Sequence, residues 1–279
     1  MPTVVITGAG SGLGRELALQ WDQKGWRVIA TDRHLGSARE TVGLLKNGQP
    51  HAAYALDVSQ DAPFDQLLDA LSDTPIDMLV NNAGVATAGT LTNTPLSEWD
   101  RVIDVNLMGV VRGCRAFASR LKSGGGGHVV NIASFAGLAN APAMATYNVT
   151  KAGVISLSET LRTEWQRDNI GVTVVCPSFF QTGLLEHAES FGVDIQRIGG
   201  KLMEQSPITA TDVARSIIAS VESGQFLCIP HRDARWQYRL KRFAPESFAR
   251  MMINRARAML RSSPPAPGNV PSQESSTGS

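Results

Sequence analysis

No apolar run in the 279-residue sequence approaches the roughly 20 residues that a transmembrane helix needs. Cysteine is scarce: Cys114, Cys176 and Cys228 stand far apart and form no CxxC pair, which argues against a disulfide framework or a zinc knuckle. Each reads as a small buried hydrophobe in a reducing compartment. The five histidines show no HExxH or comparable ligand spacing, so no metal site is predicted. Net charge is only +1 and gives no reason to expect a nucleic-acid partner. No basic leader or cleavage site separates Met1 from the strand-like run TVVITG, so no signal peptide is predicted and a cytoplasmic location is expected.

What the chain does have is alternation. A hydrophobic content of 43%, a charged content of 18% and 26 glycines fit a globular enzyme rather than a disordered or collagen-like chain. Short β-branched runs at 3–7, 27–31, 53–57, 78–81, 128–133, 172–176 and 226–229 alternate with helical patterns at 13–24, 36–46, 61–72, 97–121, 145–168 and 210–222. Continuous apolar stretches such as VVI and VTVV suit strands covered on both faces. The alternation predicts an α/β fold, a doubly wound parallel sheet of the Rossmann type, in a single domain over residues 1–230. Residues 231–261 are expected to add a basic helical extension, with nine Lys/Arg against two Asp/Glu. The last eighteen residues, 262–279, lack apolar periodicity and are expected to be a disordered tail.

The run VVITGAGSGLGRELAL passes from strand to helix through Gly8, Gly12 and Gly14. Glycine permits a tight turn and a close approach of backbone to a pyrophosphate, and the helix start offers free N–H groups with a partial positive charge. Asp32 closes the second strand in VIATD, at the separation expected for a carboxylate that accepts the ribose hydroxyls of NAD and repels the 2′-phosphate of NADP. Arg33 beside it opposes that preference, and a charge pair at about 4 Å amounts to roughly 4 kcal/mol in a partly solvated site. Asp32 is placed to meet the ribose itself whereas Arg33 is free to swing to solvent, so NAD(H) is favoured, with NADP(H) as the open alternative.

In YNVTK, Tyr147 and Lys151 stand at i and i+4 of a helical pattern, on one face about a turn apart. A free tyrosine titrates near pH 10, which amounts to about 4 kcal/mol against the phenolate at neutral pH. A nearby ammonium and the positive charge of an oxidised nicotinamide are the two influences that bring it into a working range. The pair alone is compatible with an ordinary helix surface.

Six motifs in order change that weighting: TGAGSGLG at 7–14, Asp57 with Val58, NNAG at 81–84, the asparagine of DVNLMG, the serine of NIASFAG, and YNVTK. Together they resemble the short-chain dehydrogenase/reductase family over roughly residues 3–230. The resemblance implies Tyr147 as general acid/base, Lys151 as the partner that tunes it and binds the nicotinamide ribose, and Ser134 as the hydroxyl that polarises a substrate carbonyl. Asn106 would hold a water relaying protons from Lys151. Cofactor contacts are implied for Gly8, Ser11, Gly12, Leu13 and Gly14 of the loop, for Asp32 and Arg33, and for Asp57 and Val58 at the adenine. They are also implied for Asn82, Ala83 and Gly84, with Asn81 in support, and for Pro177 and Thr182 beside the nicotinamide, together with Tyr147 and Lys151. The family pattern has a glycine where this sequence has Ser178, a change expected to stiffen that segment. By the same resemblance the activity is NAD(P)-dependent interconversion of a secondary alcohol and a ketone in a homodimer or homotetramer.

Phe179 and Phe180 just before Thr182, with Leu184, Leu185 and Phe191 after it, give the variable lid an apolar face, while Phe135 and Met144 flank the catalytic Ser and Tyr. An apolar or lipid-like alcohol or ketone is the expected substrate class. In the extension, Phe248, Met251, Met252 and Met259 recur at helical spacing beside Arg250, Arg255, Arg257 and Arg261. Packing on this protein or its own oligomer is favoured over contact with an anionic membrane surface. Two rivals to the oxidoreductase reading are a dinucleotide-binding sensor or scaffold without chemistry, and a non-redox isomerase or dehydratase on the same fold.

Overall fold

The predicted strands close into one sheet in the computed structural model, which describes residues 1–185 and 188–261. Its order is β3–β2–β1–β4–β6–β7–β9, formed by β1 (Thr3–Thr7), β2 (Arg27–Asp32), β3 (Ala52–Ala55), β4 (Met78–Asn81), β6 (Gly127–Ile132), β7 (Ile170–Val175) and β9 (Leu227–Cys228). Every pairing is parallel. Register follows the apolar pattern: Val5 stands between Ile29 and Leu79, and Val80 lies beside Val130. Alternate residues of β1 enter opposite layers, with Val5 packed among Phe64, Phe117 and Leu121, and Val4 and Ile6 among Leu17, Trp21 and Ile217. A one-residue slip would exchange the two sets, so burial on both faces fixes the pairing.

Helices cover both faces: α1 (Gly12–Gln23), α2 (Leu35–Gly43), α3 (Ala62–Ala70), α4 (Leu96–Ile103), α5 (Gly109–Ser123), the short α6 (Phe135–Ala139), α7 (Ala145–Glu164) and α9 (Ala210–Glu222). In α1, Leu13, Leu17 and Trp21 recur every four residues and bury against the sheet. A capping box sharply starts α9: Thr209 Oγ1 accepts from Asp212 N while the Asp212 carboxylate accepts from Thr209 N. The chain winds outward from β1 to β3 and returns to β4 on the other side of β1. That reversal opens a crevice at the carboxyl ends of the strands, where ligands of such sheets bind.

The single helix expected over 97–121 is instead broken by a π-helical turn, Asp104–Met108, between α4 and α5. The strand expected at 53–57 is Ala52–Ala55, which leaves Asp57 in the following turn. Two three-residue strands carried no sequence signal, β5 (Thr87–Gly89) and β8 (Glu189–Phe191); they pair in parallel as a separate ribbon, with α8 (Ile195–Glu204) following. The C-terminal stretch forms α10 (Arg232–Phe243) and α11 (Pro245–Arg261). Ala234 and Phe248 bury in the main core, Met251 and Met252 pack against it, and Lys241 Nζ donates to the Leu138 carbonyl. The side chains of Met259 and Arg261, and the tail expected to be disordered over 262–279, lie outside the described residues. Among the described residues no helix is long and apolar enough to cross a membrane.

Candidate active site

The glycine loop joins β1 to α1 and is held from behind. Gly8 (φ 62°) and Gly12 (φ 51°) adopt the left-handed conformation that favours glycine, and a Cβ on Gly14 would collide with the Gly8 carbonyl. Asn82 Nδ2 donates to the carbonyls of Thr7 (2.9 Å) and Gly8 (3.0 Å). Thr7 Oγ1 accepts from the N–H groups of Asn82 (2.9 Å) and Ala83 (3.0 Å). The NNAG segment is thus laced to the loop, and the structure gives Asn82 a bracing role there. Thr7, Arg15 and Thr41 were not singled out in the sequence, yet Thr41 Oγ1 donates to the Ala9 carbonyl and Arg15 to that of Gly10.

Ser11 is the exposed N-cap of α1, and no side chain caps the first-turn N–H groups. Leu13 turns its side chain into the core, leaving only backbone to face the crevice. A glycine cradle that excludes Cβ atoms and a helix start whose N–H groups no side chain caps suit a pyrophosphate, so a dinucleotide fits these residues. The Asp32 carboxylate accepts from the N–H groups of Gly10 (3.1 Å) and His34 (3.0 Å), which fixes it at the loop. Arg33 lies exposed and donates from Nε to His34 at 3.1 Å. Asp57 is exposed and accepts from Ser59, while Val58 is buried against Gly109.

On the other side of the crevice Ser134 caps α6, its Oγ accepting from Ala136 N at 3.1 Å and reaching the Pro177 carbonyl at 3.5 Å. The Tyr147 hydroxyl lies close enough to Ser134 for that side chain to lower its pKa. Lys151 Nζ lies 5.8 Å from the centre of the Tyr147 ring and donates to the Ile132 carbonyl at 2.9 Å. Both side chains are buried. Burial pushes the Tyr147 phenol up to about 12, with Ser134 pulling the other way, and pulls Lys151 down to about 8. The ammonium does not by itself bring the phenol into range, which leaves that shift to the ammonium and the nicotinamide charge acting together.

Asn106 sits buried in the π turn, and its amide pairs with both backbone groups of Val85: Oδ1 accepts from Val85 N (2.8 Å) and Nδ2 donates to Val85 O (2.9 Å). Gly84 fits between this amide and Lys151, with the Asn106 Oδ1 3.1 Å and the Lys151 Nζ 3.5 Å from where a Cβ would stand. Asn81 points below the site, where its Nδ2 donates to Asn131, which donates in turn to Ser158.

The segment after β7 bridges the two halves of the crevice. The Pro177 carbonyl accepts from Phe135 N at 2.8 Å beside Ser134, and Thr182 Cβ lies 3.6 Å from where a Cβ on Gly12 would stand. Ser178 does not have a positive φ, so nothing in its backbone demands glycine, and the stiffening expected there costs no strain. Around Tyr147 cluster Met144, Leu185, Ile195 and Met203, with Phe179 against them. Phe135 and Phe180 are turned away into the two main cores.

The short chain dehydrogenase family model matches residues 2–191 of this sequence. The chain belongs to the short-chain dehydrogenase family. Among curated relatives, a probable oxidoreductase EphD of Mycobacterium tuberculosis is 37% identical over 207 residues, 71% of this chain but only 34% of that protein. This chain thus spans about a third of the length of that relative. The 3beta-hydroxysteroid dehydrogenase 1 of Eggerthella lenta is 38% identical over 194 residues, 68% of this chain and 74% of that one. Among solved structures, a short-chain dehydrogenase/reductase from Burkholderia phymatum in complex with NAD has a TM-score of 0.79 at 30% identity, covering 88% of this chain and 94% of that one. A short-chain dehydrogenase from Sphingobium yanoikuyae in complex with NADPH has a TM-score of 0.72 at 27% identity, covering 91% and 95% of the two chains.

Proposed function

We propose that this short-chain dehydrogenase family member is an oxidoreductase that interconverts a secondary alcohol and a ketone on an apolar substrate, with NAD(H) as the favoured cofactor. The observation that carries the reading is the Ser134 hydroxyl beside the buried Tyr147 phenol, backed by Lys151 and roofed by Met144, Leu185, Ile195 and Met203. The glycine loop and Asp32 would hold the cofactor, which supplies the hydride. Tyr147, which keeps its proton at neutral pH, gives it to the substrate oxygen as negative charge develops there in reduction. Ser134 donates a second hydrogen bond to the same oxygen, and two preorganised donors in a water-poor site stabilise that charge. Lys151, held by the Ile132 carbonyl, keeps a positive charge at neutral pH beneath the phenol and replenishes its proton. Asn106 ties the π turn to Val85 beside Gly84 and Lys151, and it keeps one Oδ1 lone pair and one Nδ2 hydrogen for a water that relays protons.

The apolar roof supports a hydrophobic ketone, and the steroid named for the Eggerthella lenta relative is of that chemistry. The test is a panel of ketones and secondary alcohols, graded from short and polar to steroid-sized, assayed with both cofactors. Turnover is expected to rise with apolar size, and Tyr147→Phe is expected to lower it about a thousandfold while NADH still binds within about twofold of the parent. A Tyr147→Phe variant that turns over normally would refute the assignment.

A further inference from the structure

His231 takes no part in the chemistry above, yet both of its ring nitrogens are committed to the segment that bridges the crevice. It stands just before α10 and is 3% exposed. Nδ1 accepts from the backbone N–H of Ser178 at 3.2 Å, and Nε2 lies 3.1 Å from the Phe179 carbonyl. A backbone N–H only donates and a carbonyl only accepts, so the two partners select the neutral ring with its proton on Nε2. Burial opposes a second proton, and of the charged groups beside the ring Asp233 favours it and Arg235 opposes it. The Phe180 ring packs at 6.2 Å from the imidazole, which fixes the ring plane.

The held segment starts at Cys176, whose N–H donates to the Cys228 carbonyl, passes Ser134 at Pro177, and reaches Gly12 at Thr182. A group lying between the Ser134–Tyr147 pair and the glycine loop meets this backbone. Ser178 and Phe179 are the middle of that span, and His231 grips one polar group of each. We infer that His231 is a positioning residue: by clamping Ser178 N–H and Phe179 C=O from the C-terminal stretch, it sets the backbone that receives the nicotinamide end of the dinucleotide. The inference rests on the dinucleotide reading above.

The test compares two ligands by calorimetry on the full-length protein: NADH, and ADP-ribose, which lacks the nicotinamide ring. Two variants are used. His231→Leu removes both bonds, and His231→Asn keeps an acceptor for Ser178 N–H. NADH affinity is expected to fall by about tenfold in the Leu variant and by less in the Asn variant, with ADP-ribose affinity unchanged in both. A clamp that is only structural would weaken both ligands alike, and that result, or unchanged NADH affinity in the variants, overturns the inference. Should His231→Leu fail to fold, the Asn variant gives the same comparison. Failure of the parent protein to bind NADH would remove the dinucleotide reading itself, a separate outcome.

Discussion

Asp32 shows how one side chain holds two tasks. Its oxygens already accept from Gly10 and His34, but each carboxylate oxygen has a second lone pair, so a ribose hydroxyl can still donate to it. The same negative charge disfavours a 2′-phosphate, and Arg33, exposed and leaning on His34, is not fixed against it. Asp32→Asn keeps the size while removing the charge. The ratio of kcat/KM for NAD over NADP is expected to fall by at least about tenfold in steady-state assays, since a charge interaction near 4 Å reaches roughly 4 kcal/mol at partial exposure. An unmoved ratio would place the cofactor choice elsewhere. Residues of this kind could be named as candidates because their signal is local: Gly14, Asp32, Ser134, Tyr147 and Lys151 each stand in a short motif, and the structure gathers them along one crevice. His231 and Thr7 could not, because a histidine after a proline and a threonine at a strand end say nothing until the fold brings Ser178 and Asn82 to them.

The π turn at Asp104–Met108 is where periodicity misled. An extra residue in the helical ladder leaves the apolar spacing of 97–121 almost intact, so the pattern reads as one helix. What fixes the break is distant in sequence: the Asn106 amide pairs with both backbone groups of Val85, joining the turn to the strand end after β4 much as a neighbouring strand would. Removing it leaves a partly buried N–H and C=O of Val85 without partners, each costing toward the lower end of about 1–3 kcal/mol. Asn106→Ala is therefore expected to lower unfolding free energy by about 2–3 kcal/mol in urea titrations, alongside any loss of turnover. If the residue served only to hold a relay water, stability would stay unchanged. The β5–β8 ribbon was equally silent in the sequence, since three residues are too few for a period-two pattern to register.

At the scale of the whole molecule, acid finds three histidines among the described residues that folding keeps neutral. Burial lowers the pKa of His51 and His231, and it lowers that of His128, which bonds to Thr173, to about 4. The unfolded chain binds these protons near pH 6.5 and the folded chain resists them, so stability is full above about 6.5 and declines as pH falls toward 4. His128 alone accounts for at most about 3 kcal/mol of that decline. Thermal melts across pH 7 to 4 are expected to show a falling Tm, reduced in slope by His128→Gln; a flat profile would contradict the burial seen here. The architecture itself was readable at this scale because a parallel sheet buried on both faces writes continuous apolar runs, and the apolar spacing in the C-terminal helices likewise announced packing on the protein, where Ala234 and Phe248 enter the core. The lid, by contrast, meets the scaffold through the short β5–β8 ribbon and the side chains around Met144 and Tyr147. On the proposed reading, three of the four apolar residues that roof Tyr147, namely Leu185, Ile195 and Met203, come from the one stretch from Gly183 to Glu204, so its exchange would work like a change of tool head, altering what is grasped while the sheet that serves as handle keeps its shape.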